Sequence, residues 1–294
     1  MKFLIIIPAH NEEKNIRFCL KSLQQQAYSD FTVVVVNDGS SDGTQAIAED
    51  FAFKYQNFKV LNLETSAHEP GAKVVRTFYK GLAYVGNEDF DIICKFDADI
   101  IFPVNYLSEI NKVFEQNPKA GMVSGIVKIK KSVFENNLAF DFQDEKRQWM
   151  FEDISSKNHV RGPIKAYRKA CFEDMRGLRP VLGWDNIDVM LARMHGWEVM
   201  TIKNLWVKHL RPTAYKYKHQ KAEKLGEYFY NIGLNFPLAS VSSAKSSFRN
   251  KSIGEFLVTM KSFVKQKHPR ELSKEEMKFI RRLRIQEMAE KFKF

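Results

Sequence analysis

The segment "FTVVVVNDGSSDGT", residues 31–44, contains the pattern on which the predicted fold rests. Its β-branched run predicts a strand that is buried on both faces, as in a parallel sheet. The Asn, Asp, Gly and Ser residues that follow are typical of a turn, and Asp42 is expected to cap a helix that begins near Gly43. A buried strand followed by a polar turn and a helix is the repeating unit of a parallel α/β sheet.

The neighbouring segments repeat this unit. The apolar run at 3–7 predicts a strand that ends at Pro8, and the apolar spacing within 11–26 predicts the helix that follows. The resulting βαβαβ order implies an α/β fold with a right-handed, mostly parallel sheet flanked by helices. The remaining predictions are helices over 44–55, 73–85 and 104–118, and strands over 58–64, 89–103 and 120–129. A strand-turn-helix over 162–178, a helix within 183–199 that ends in Gly196, and basic helices after about residue 210 follow.

Composition and charge limit the class of protein. The 294 residues are 44% hydrophobic and 28% charged, which is enough for one large domain or two small ones. The formal net charge of +11 suits nucleic acid, anionic lipid or a phosphorylated substrate. Because no DNA- or RNA-binding signature accompanies the charge, we do not expect a nucleic-acid partner.

The cysteines and apolar runs indicate a compartment. Cys19, Cys94 and Cys171 are widely spaced and odd in number, so we expect buried free thiols. The first apolar run is too short for a signal peptide, and no stretch approaches the roughly 18 apolar residues that span a bilayer. These features predict a cytoplasmic protein. Peripheral contact of this protein with the inner face of the membrane is a further expectation.

Three polar segments follow predicted strands. They are "PAHNEE" at 8–13, "NDGSSDG" at 37–43 and "DAD" at 97–99. Because ligands of an open parallel sheet bind beyond the carboxyl ends of the strands, we expect these loops to converge at one edge.

Asp97 and Asp99 pose an electrostatic problem, since two close carboxylates beside a buried run resist joint ionisation. Either Lys and Arg side chains or a divalent cation must offset the cost. If the backbone is extended, both carboxylates point to one side, where their oxygens suit Mg²⁺ or Mn²⁺ with phosphates in the open positions. A solvated loop that carries two acids is the remaining alternative.

Asp185 and Asp188 lie three apart at the start of a predicted helix and share a face. The residues alone favour helix capping and dipole complementation, and a general base for an acceptor hydroxyl is the functional alternative. His209, and the helical pair Arg76 and Lys80, are typical of structural or solvated positions, although the pair could meet a diphosphate.

Five motifs together resemble those of the family 2 glycosyltransferases, in that family's order, from residue 1 to about 235. They are "IIIPAHNEEKNI", "VVVVNDGSSDGT", "GAKVVRTFYKGL", "KFDADI" and "GWDNIDVMLARMHGWEV". The resemblance implies a GT-A fold, a nucleotide-diphosphate-sugar donor and a divalent metal, Mn²⁺ or Mg²⁺. It also implies a glycan or lipid-linked saccharide acceptor and inversion at the anomeric carbon.

The same resemblance implies roles for individual residues. Asp185 or Asp188 is the base, with Asp185 preferred because its position at the helix start points toward the cleft. Tyr79 stands where the family often has Asn, so contacts near the donor sugar are expected to differ. The implied donor-binding residues are Pro8, His10, Glu12, Asp38, Arg76, Asp97 and Ala98; the implied metal ligands are Asp97, Asp99 and His209; and Trp149, Arg161 and Trp184 are expected to shape the acceptor site.

Two other functions stay open at this point. One is a nucleotidyltransferase of similar topology, which the acidic, Gly-free first loop argues against. The other is a non-catalytic protein that binds sugar nucleotides or associates with a membrane.

The C-terminal part has a predicted boundary and two interpretations. Residues 1–235 are predicted to form the catalytic domain, and 236–294 a helical basic extension. Its last helix either lies on an anionic membrane or packs against the protein through an apolar face. That face would contain Met277, Ile280, Leu283, Ile285 and Met288.

Overall fold

A computed structural model of the chain describes residues 1–65, 69, 71–86, 88–130, 149–152, 159–211 and 221–290. Its strands are β1 (Phe3–Ala9), β2 (Phe31–Asp38), β3 (Phe58–Leu63), β4 (Ile92–Phe96), β5 (Ile100–Ile101), β6 (Ala120–Lys130), β7 (Trp149–Phe151), β8 (Ile164–Arg168) and β9 (Glu198–His209). Its helices are α1 (Ile16–Gln24), α2 (Thr44–Lys54), α3 (Ala72–Tyr84), α4 (Tyr106–Gln116), α5 (Lys169–Asp174), α6 (Trp184–Met194), α7 (Lys221–Asn231), α8 (Phe236–Arg249), α9 (Ile253–Lys265) and α10 (Lys274–Glu290). The helical character predicted directly after residue 210 falls partly on 212–220, outside the described residues.

The strands form one mixed sheet in the order β3-β2-β1-β4-β8-β6-β9-β5, with β7 paired to β6. β3, β2, β1 and β4 are parallel, as predicted. β8 runs antiparallel between β4 and β6, and β9 runs parallel to β6. The four parallel strands therefore bring their carboxyl ends to the same edge of the sheet.

Helices cover both faces of the sheet, which explains the continuous apolar runs of its strands. Alternate strand residues enter opposite clusters: Ile5 packs with α1, α2 and α4, whereas Ile6 packs with α3, α5 and α6. Helices α7 to α10 join the second cluster through residues such as Phe229 and Phe263. Residues on both sides of position 235 thus share one cluster, and the division into two domains there stays a prediction.

The extended backbone predicted over 89–103 is wrong at the carboxylate pair. β4 ends at Phe96, a turn at 98–99 interrupts the strand, and β5 begins at Ile100. The physical reason is a change of partner, because β4 pairs with β8 whereas β5 pairs with β9. Asp97 and Asp99 therefore face different neighbours.

The last helix packs against the protein. In α10, Ile280 is fully buried, and Met277 and Leu283 pack on the second cluster, so the packing interpretation is confirmed for these residues. Among the described helices, none combines the length and apolar character needed to cross a bilayer. The three cysteines are buried free thiols, as predicted.

Candidate active site

Hydrogen bonds join the loops after β1 and β2 at the predicted edge. Asn11 Oδ1 accepts from the Ser41 N–H (2.8 Å), and the Glu12 N–H donates to Thr44 Oγ1 (2.7 Å). The N-cap of α2 is Gly43 instead of the predicted Asp42, although Asp42 Oδ1, one residue earlier, accepts from the Thr44 N–H at 3.0 Å. The two strand ends are therefore held as one unit.

Asp38 ends β2 with a carboxylate that is 4% exposed. Its Oδ2 lies 3.1 Å from Lys73 Nζ and accepts a hydrogen bond from Thr77 Oγ1 (3.2 Å), both on α3. Its backbone carbonyl lies 2.7 Å from His10 Nδ1. Gly39 follows with a φ of 58°, a left-handed conformation that favours glycine. These contacts fix the direction of the carboxylate.

A pocket of about 460 Å³ opens beside Asp38, between the end of β3 and α3. Leu63 supplies an apolar wall, and the charged side chains of the lining have both signs: Lys73, Arg76 and Lys80 are cations, and Glu64 and Glu69 are anions beside Asp38. Arg76 is exposed and forms an ion pair with Glu69 at the rim. This lining suits a polar ligand that carries both a flat apolar part and hydrogen-bonding groups.

Asp99 lies at the centre of a buried charge network. Its Oδ1 is 3.5 Å from His209 Nε2, and its Oδ2 is 3.1 Å from Arg211 Nη2. Arg211 also pairs with Glu12, so one guanidinium joins the loop after β1 to the turn after β4. His209 faces Ile100 across the β5–β9 pair. The structure thus brings together Glu12, Asp99 and His209, which the sequence places in three separate segments.

His209 has a second acidic partner. Its Nδ1 lies 3.3 Å from Glu152 Oε2, and Arg161 Nη2 donates to the same oxygen at 2.8 Å. Burial lowers the pKa of His209, but hydrogen bonds and charges from Asp99 and Glu152 outweigh it and raise the pKa to about 9. Burial raises the pKa of Asp99, yet His209 and Arg211 hold it below its usual value. At neutral pH the pair therefore consists of a carboxylate and an imidazolium.

Burial also acts on Glu12, where it raises the pKa of the carboxyl above its usual value despite hydrogen bonds from Asn15 and Arg211. Glu12 Oε2 accepts from Asn15 Nδ2 at 3.0 Å. The carboxyl is thereby fixed from both sides.

Asp97 is half-buried and pairs with the ammonium of Lys95, two residues earlier on β4. Lys95 Nζ also lies 3.5 Å from the Gly162 carbonyl oxygen and 5.0 Å from the centre of the Trp184 ring. In this structure Lys and Arg side chains, together with His209, offset the charge of the carboxylate pair.

Asp188 is buried, and both of its carboxylate oxygens have hydrogen-bonding partners. Its Oδ1 and Oδ2 lie 2.7 and 2.8 Å from Lys165 Nζ, and Tyr167 Oη donates to Oδ2 at 2.6 Å. Burial raises the pKa of Asp188 even though both partners lower it. Asp188 therefore anchors α6 to β8.

Asp185 is half-buried in the first turn of α6. The N-cap is Gly183 (φ 92°), and no described side chain caps this helix, so the capping role expected for Asp185 is wrong, while dipole complementation holds. A Cβ on Gly162 would lie 3.4 Å from Asp185 Oδ2. Because Lys95 contacts the carbonyl of Gly162, Asp185 stands close to the Asp97–Lys95 pair.

The described side chains around Asp99 offer few donor atoms to a divalent ion. Among the described residues, no three His, Cys, Asp or Glu side chains form a metal-holding group. Asp99 and His209 are nonetheless adjacent oxygen and nitrogen donors. Since Mg²⁺ and Mn²⁺ are often held by one or two protein ligands plus substrate phosphates, this pair fits an ion shared with a diphosphate.

The other predicted residues have mainly structural contacts here. Pro8 pairs in register with Val36 on β2, and Ala98 is buried in the turn between the two aspartates. The Tyr79 hydroxyl donates to the Leu178 carbonyl at 3.0 Å. The three residues expected at an acceptor site are each less than a tenth exposed, so in this structure they pack instead of presenting a surface; they are Trp149, Arg161 and Trp184.

Four site residues were not singled out by sequence reasoning: Lys95, Glu152, Lys165 and Arg211. Two had a local signal. Lys95 precedes Asp97 by two residues and Arg211 follows His209 by two, which is the period of side chains on one face of an extended chain.

Comparisons with known proteins point to one family. The family model for Glycosyl transferase family 2 matches residues 4–176, more than half of the chain. This chain is 44% identical to "Glycosyltransferase AglE" of Haloferax volcanii over 59 residues, which are 19% of each chain. Over 73 residues, 24% of this chain and 13% of the relative, it is 45% identical to "Poly(ribitol-phosphate) beta-N-acetylglucosaminyltransferase TarS" of Staphylococcus aureus. The matches thus span less than a third of these relatives' own lengths.

Solved structures show the same fold. A mannosyltransferase from Pyrobaculum calidifontis, in complex with GDP-Man and Mn²⁺, superposes with a TM-score of 0.58 at 18% identity, covering 98% of this chain and 79% of the other. S. aureus TarS 1-349 in complex with UDP-GlcNAc superposes with a TM-score of 0.57 at 17% identity, covering 92% and 93%. The expected GT-A fold is confirmed.

Proposed function

This chain belongs to glycosyl transferase family 2, and on that premise we propose that it moves a sugar from a nucleotide-diphosphate sugar to a hydroxyl of a glycan or lipid-linked acceptor. One observation carries the proposal: the Asp38 pocket, the charge network around Asp99 and the half-buried Asp185 all lie along one sheet edge. The neighbours of the same fold that bind UDP-GlcNAc or GDP-Man support the donor class.

The donor nucleoside is assigned to the pocket beside Asp38. The fixed carboxylate would accept hydrogen bonds from the base or ribose, and His10 and Glu12 would border the same ligand. Arg76 and Lys80 line the pocket as cations and would attract the negatively charged donor. Pro8 and Ala98 would contribute through the backbone at the two strand ends.

The leaving diphosphate is assigned to the cations around the aspartate pair. Lys95 and Arg211 each pair with a carboxylate of the edge, and His209 carries a proton at neutral pH. Such preorganised positive groups stabilise charge that develops on a leaving group. A divalent ion, when bound by Asp99 and His209 with Asp97 nearby, would supply further neutralisation of the diphosphate. His209 would have to lose its proton to act as that ligand.

The transfer is a single displacement. The acceptor hydroxyl oxygen forms a bond to the anomeric carbon while the bond from that carbon to the phosphate oxygen breaks, and its electron pair leaves with the diphosphate. Asp185 takes the proton of the acceptor hydroxyl. Attack from the face opposite the leaving group inverts the anomeric carbon. Asp188 cannot serve here without breaking its contacts to Lys165 and Tyr167, so we assign the base to Asp185.

Turnover of nucleotide sugars tests the proposal. Donors are first screened by thermal shift with Mn²⁺ or Mg²⁺, and release of nucleoside diphosphate is then measured with the full chain. Asp185→Asn should keep donor affinity and lose about 10²–10⁴-fold in kcat, the range of a general base. Asp188→Asn serves as the comparison, because it should lower stability while folded molecules retain turnover.

Two results would overturn parts of this assignment. Full turnover by Asp185→Asn would remove the base role. Absence of binding by every nucleotide sugar, with either metal, would remove the donor class altogether.

A further inference from the structure

Helices α8 and α9 present an apolar face to solvent. Phe248 is 88% exposed and Ile253 82% exposed, at the junction between the two helices. On α9, Leu257 and Val264 continue the face at helical spacing, and Val241 lies two turns before Phe248 on α8. Between the helices lies an apolar pocket of about 580 Å³, lined by residues that include Phe248, Ile253 and Phe256. An exposed apolar face of this kind marks an interaction surface.

The helical hairpin formed by α8 and α9 is strongly basic. Residues 236–267 contain six Lys or Arg residues and one acidic residue, Glu255. The lysines are exposed in the described structure: Lys245, Lys251, Lys261, Lys265 and Lys267. Long lysine stems cover apolar surface while their ammonium groups reach outward to a polar layer.

We propose that this face, formed by α8 and α9, binds the surface of a bilayer that contains anionic phospholipid. Aromatic and aliphatic side chains flanked by lysines are the composition of helices that lie in a membrane interface. Each lysine near such a surface adds electrostatic attraction. A two-fold pairing of this face with a second copy would bring lysines against lysines, which argues against self-association as the use of the surface.

The hairpin is linked to the start of α6. Gly226 of α7 packs so closely on α9 that a Cβ there would lie 2.2 Å from the Thr259 carbonyl oxygen. From α7, Asn231 Nδ2 donates to the Leu182 carbonyl at 3.1 Å, two residues before Trp184. Through α7 these contacts connect the face of α8 and α9 to the start of α6, the helix that carries Asp185, and a lipid-linked acceptor would reside in the membrane that this face binds. This last step rests on the proposed function.

The test is co-flotation of the full chain with vesicles of phosphatidylcholine, with and without phosphatidylglycerol, in the absence of donor and acceptor. We expect binding to the anionic vesicles at low salt and weaker binding at high salt. The variant Phe248→Ser/Ile253→Ser should bind at least about tenfold more weakly, because it removes apolar groups that would enter the interface. Phe53→Ser is the matched control, since Phe53 is 91% exposed on α2 and should leave binding unchanged.

Three outcomes would overturn the proposal: no flotation with anionic vesicles at low salt, equal binding by the double variant, or a dimer in sedimentation velocity that the double variant abolishes without any vesicle binding. Release of nucleoside diphosphate that accompanies transfer of the sugar to a water-soluble acceptor is measured on the same proteins. Flotation without turnover would reject the proposed function and keep the membrane surface, whereas turnover without flotation would do the reverse.

Discussion

Replacing Lys165 by Met tests whether the buried pair at the base of α6 holds this part of the fold. The side chains of Lys165 and Asp188 are 0% and 1% exposed, with Nζ 2.7 Å from Oδ1. The ammonium also lies 2.5 Å from the Asp185 carbonyl oxygen. Met preserves the length of the side chain but removes the charge, which leaves Asp188 with Tyr167 and the Val189 N–H among its described contacts.

Removing one partner of a buried ion pair costs about 3–5 kcal/mol, because the other charge is left uncompensated in a medium of low dielectric constant. Asp188 can reduce this cost by taking up a proton, and its pKa is already raised by burial. A carboxyl with a raised pKa binds its proton more tightly in the folded state, so stability falls as pH rises. The variant should therefore lose more stability at about pH 8 than at about pH 5.

The assay is urea unfolding of the full chain at both pH values. Lys169→Met is the matched control, since it makes the same substitution in an exposed pair with Asp89 and should leave the midpoint unchanged. The double variant Lys165→Met/Asp188→Leu should recover part of the loss, because no lone charge then remains buried. If Lys165→Met moves the midpoint no more than the control does, the pair does not stabilise the fold as argued.

Three further outcomes are expected. The pKa of His209 is raised to about 9, so the stability that its charge contributes is complete below about pH 6.5 and is lost as pH rises through 9. His209→Gln should flatten this loss of stability in urea unfolding measured across pH with a chelator present. An unchanged pH dependence would contradict the charge network around Asp99. Glu152→Gln removes one of the groups that raise the pKa of His209, so the loss of stability should begin at lower pH in the same measurement. An unchanged pH of this loss would refute the contact between Glu152 and His209. Gly81→Ala should destabilise the protein by about 1–3 kcal/mol, because the new Cβ would lie 2.6 Å from Val36 Cγ2. Gly254→Ala, in open space on α9, should stabilise slightly in the same denaturant assay, and equal effects of the two would refute the packing argument.

The strand-and-turn units could be predicted from residues that are neighbours along the chain. The runs at 3–7 and 31–36 are apolar and rich in β-branched residues, and polar turn residues follow each, so strand and loop could be read from neighbouring residues. The rule that parallel strands share their carboxyl edge then placed "PAHNEE", "NDGSSDG" and "DAD" together, as the Ser41–Asn11 hydrogen bond and the pairing of Arg211 with both Glu12 and Asp99 show.

Pairing between distant segments decided what the sequence left open. Asp97 and Asp99 contact different side chains because β4 and β5 pair with different strands, and strand partners depend on the whole sheet. For α10, the tertiary structure decided that Met277, Ile280 and Leu283 pack against the second cluster, whereas Ile285 of the same predicted face is 53% exposed.

By itself the sequence determined the order of strands and helices through the four parallel strands, the polar loops at the strand ends and the family motifs they carry, because these depend on side chains that are close along the chain. It did not predict β7 or β9. The family resemblance preferred Asp185 to Asp188 as the base, and the tertiary structure added a physical difference between the two. The two are identical residues one helical turn apart, and what distinguishes them is Lys165 and Tyr167, which approach from β8 and enclose one carboxylate while the other stays half-buried. Burial and charge pairing are properties of the folded surroundings, so no local pattern could assign them.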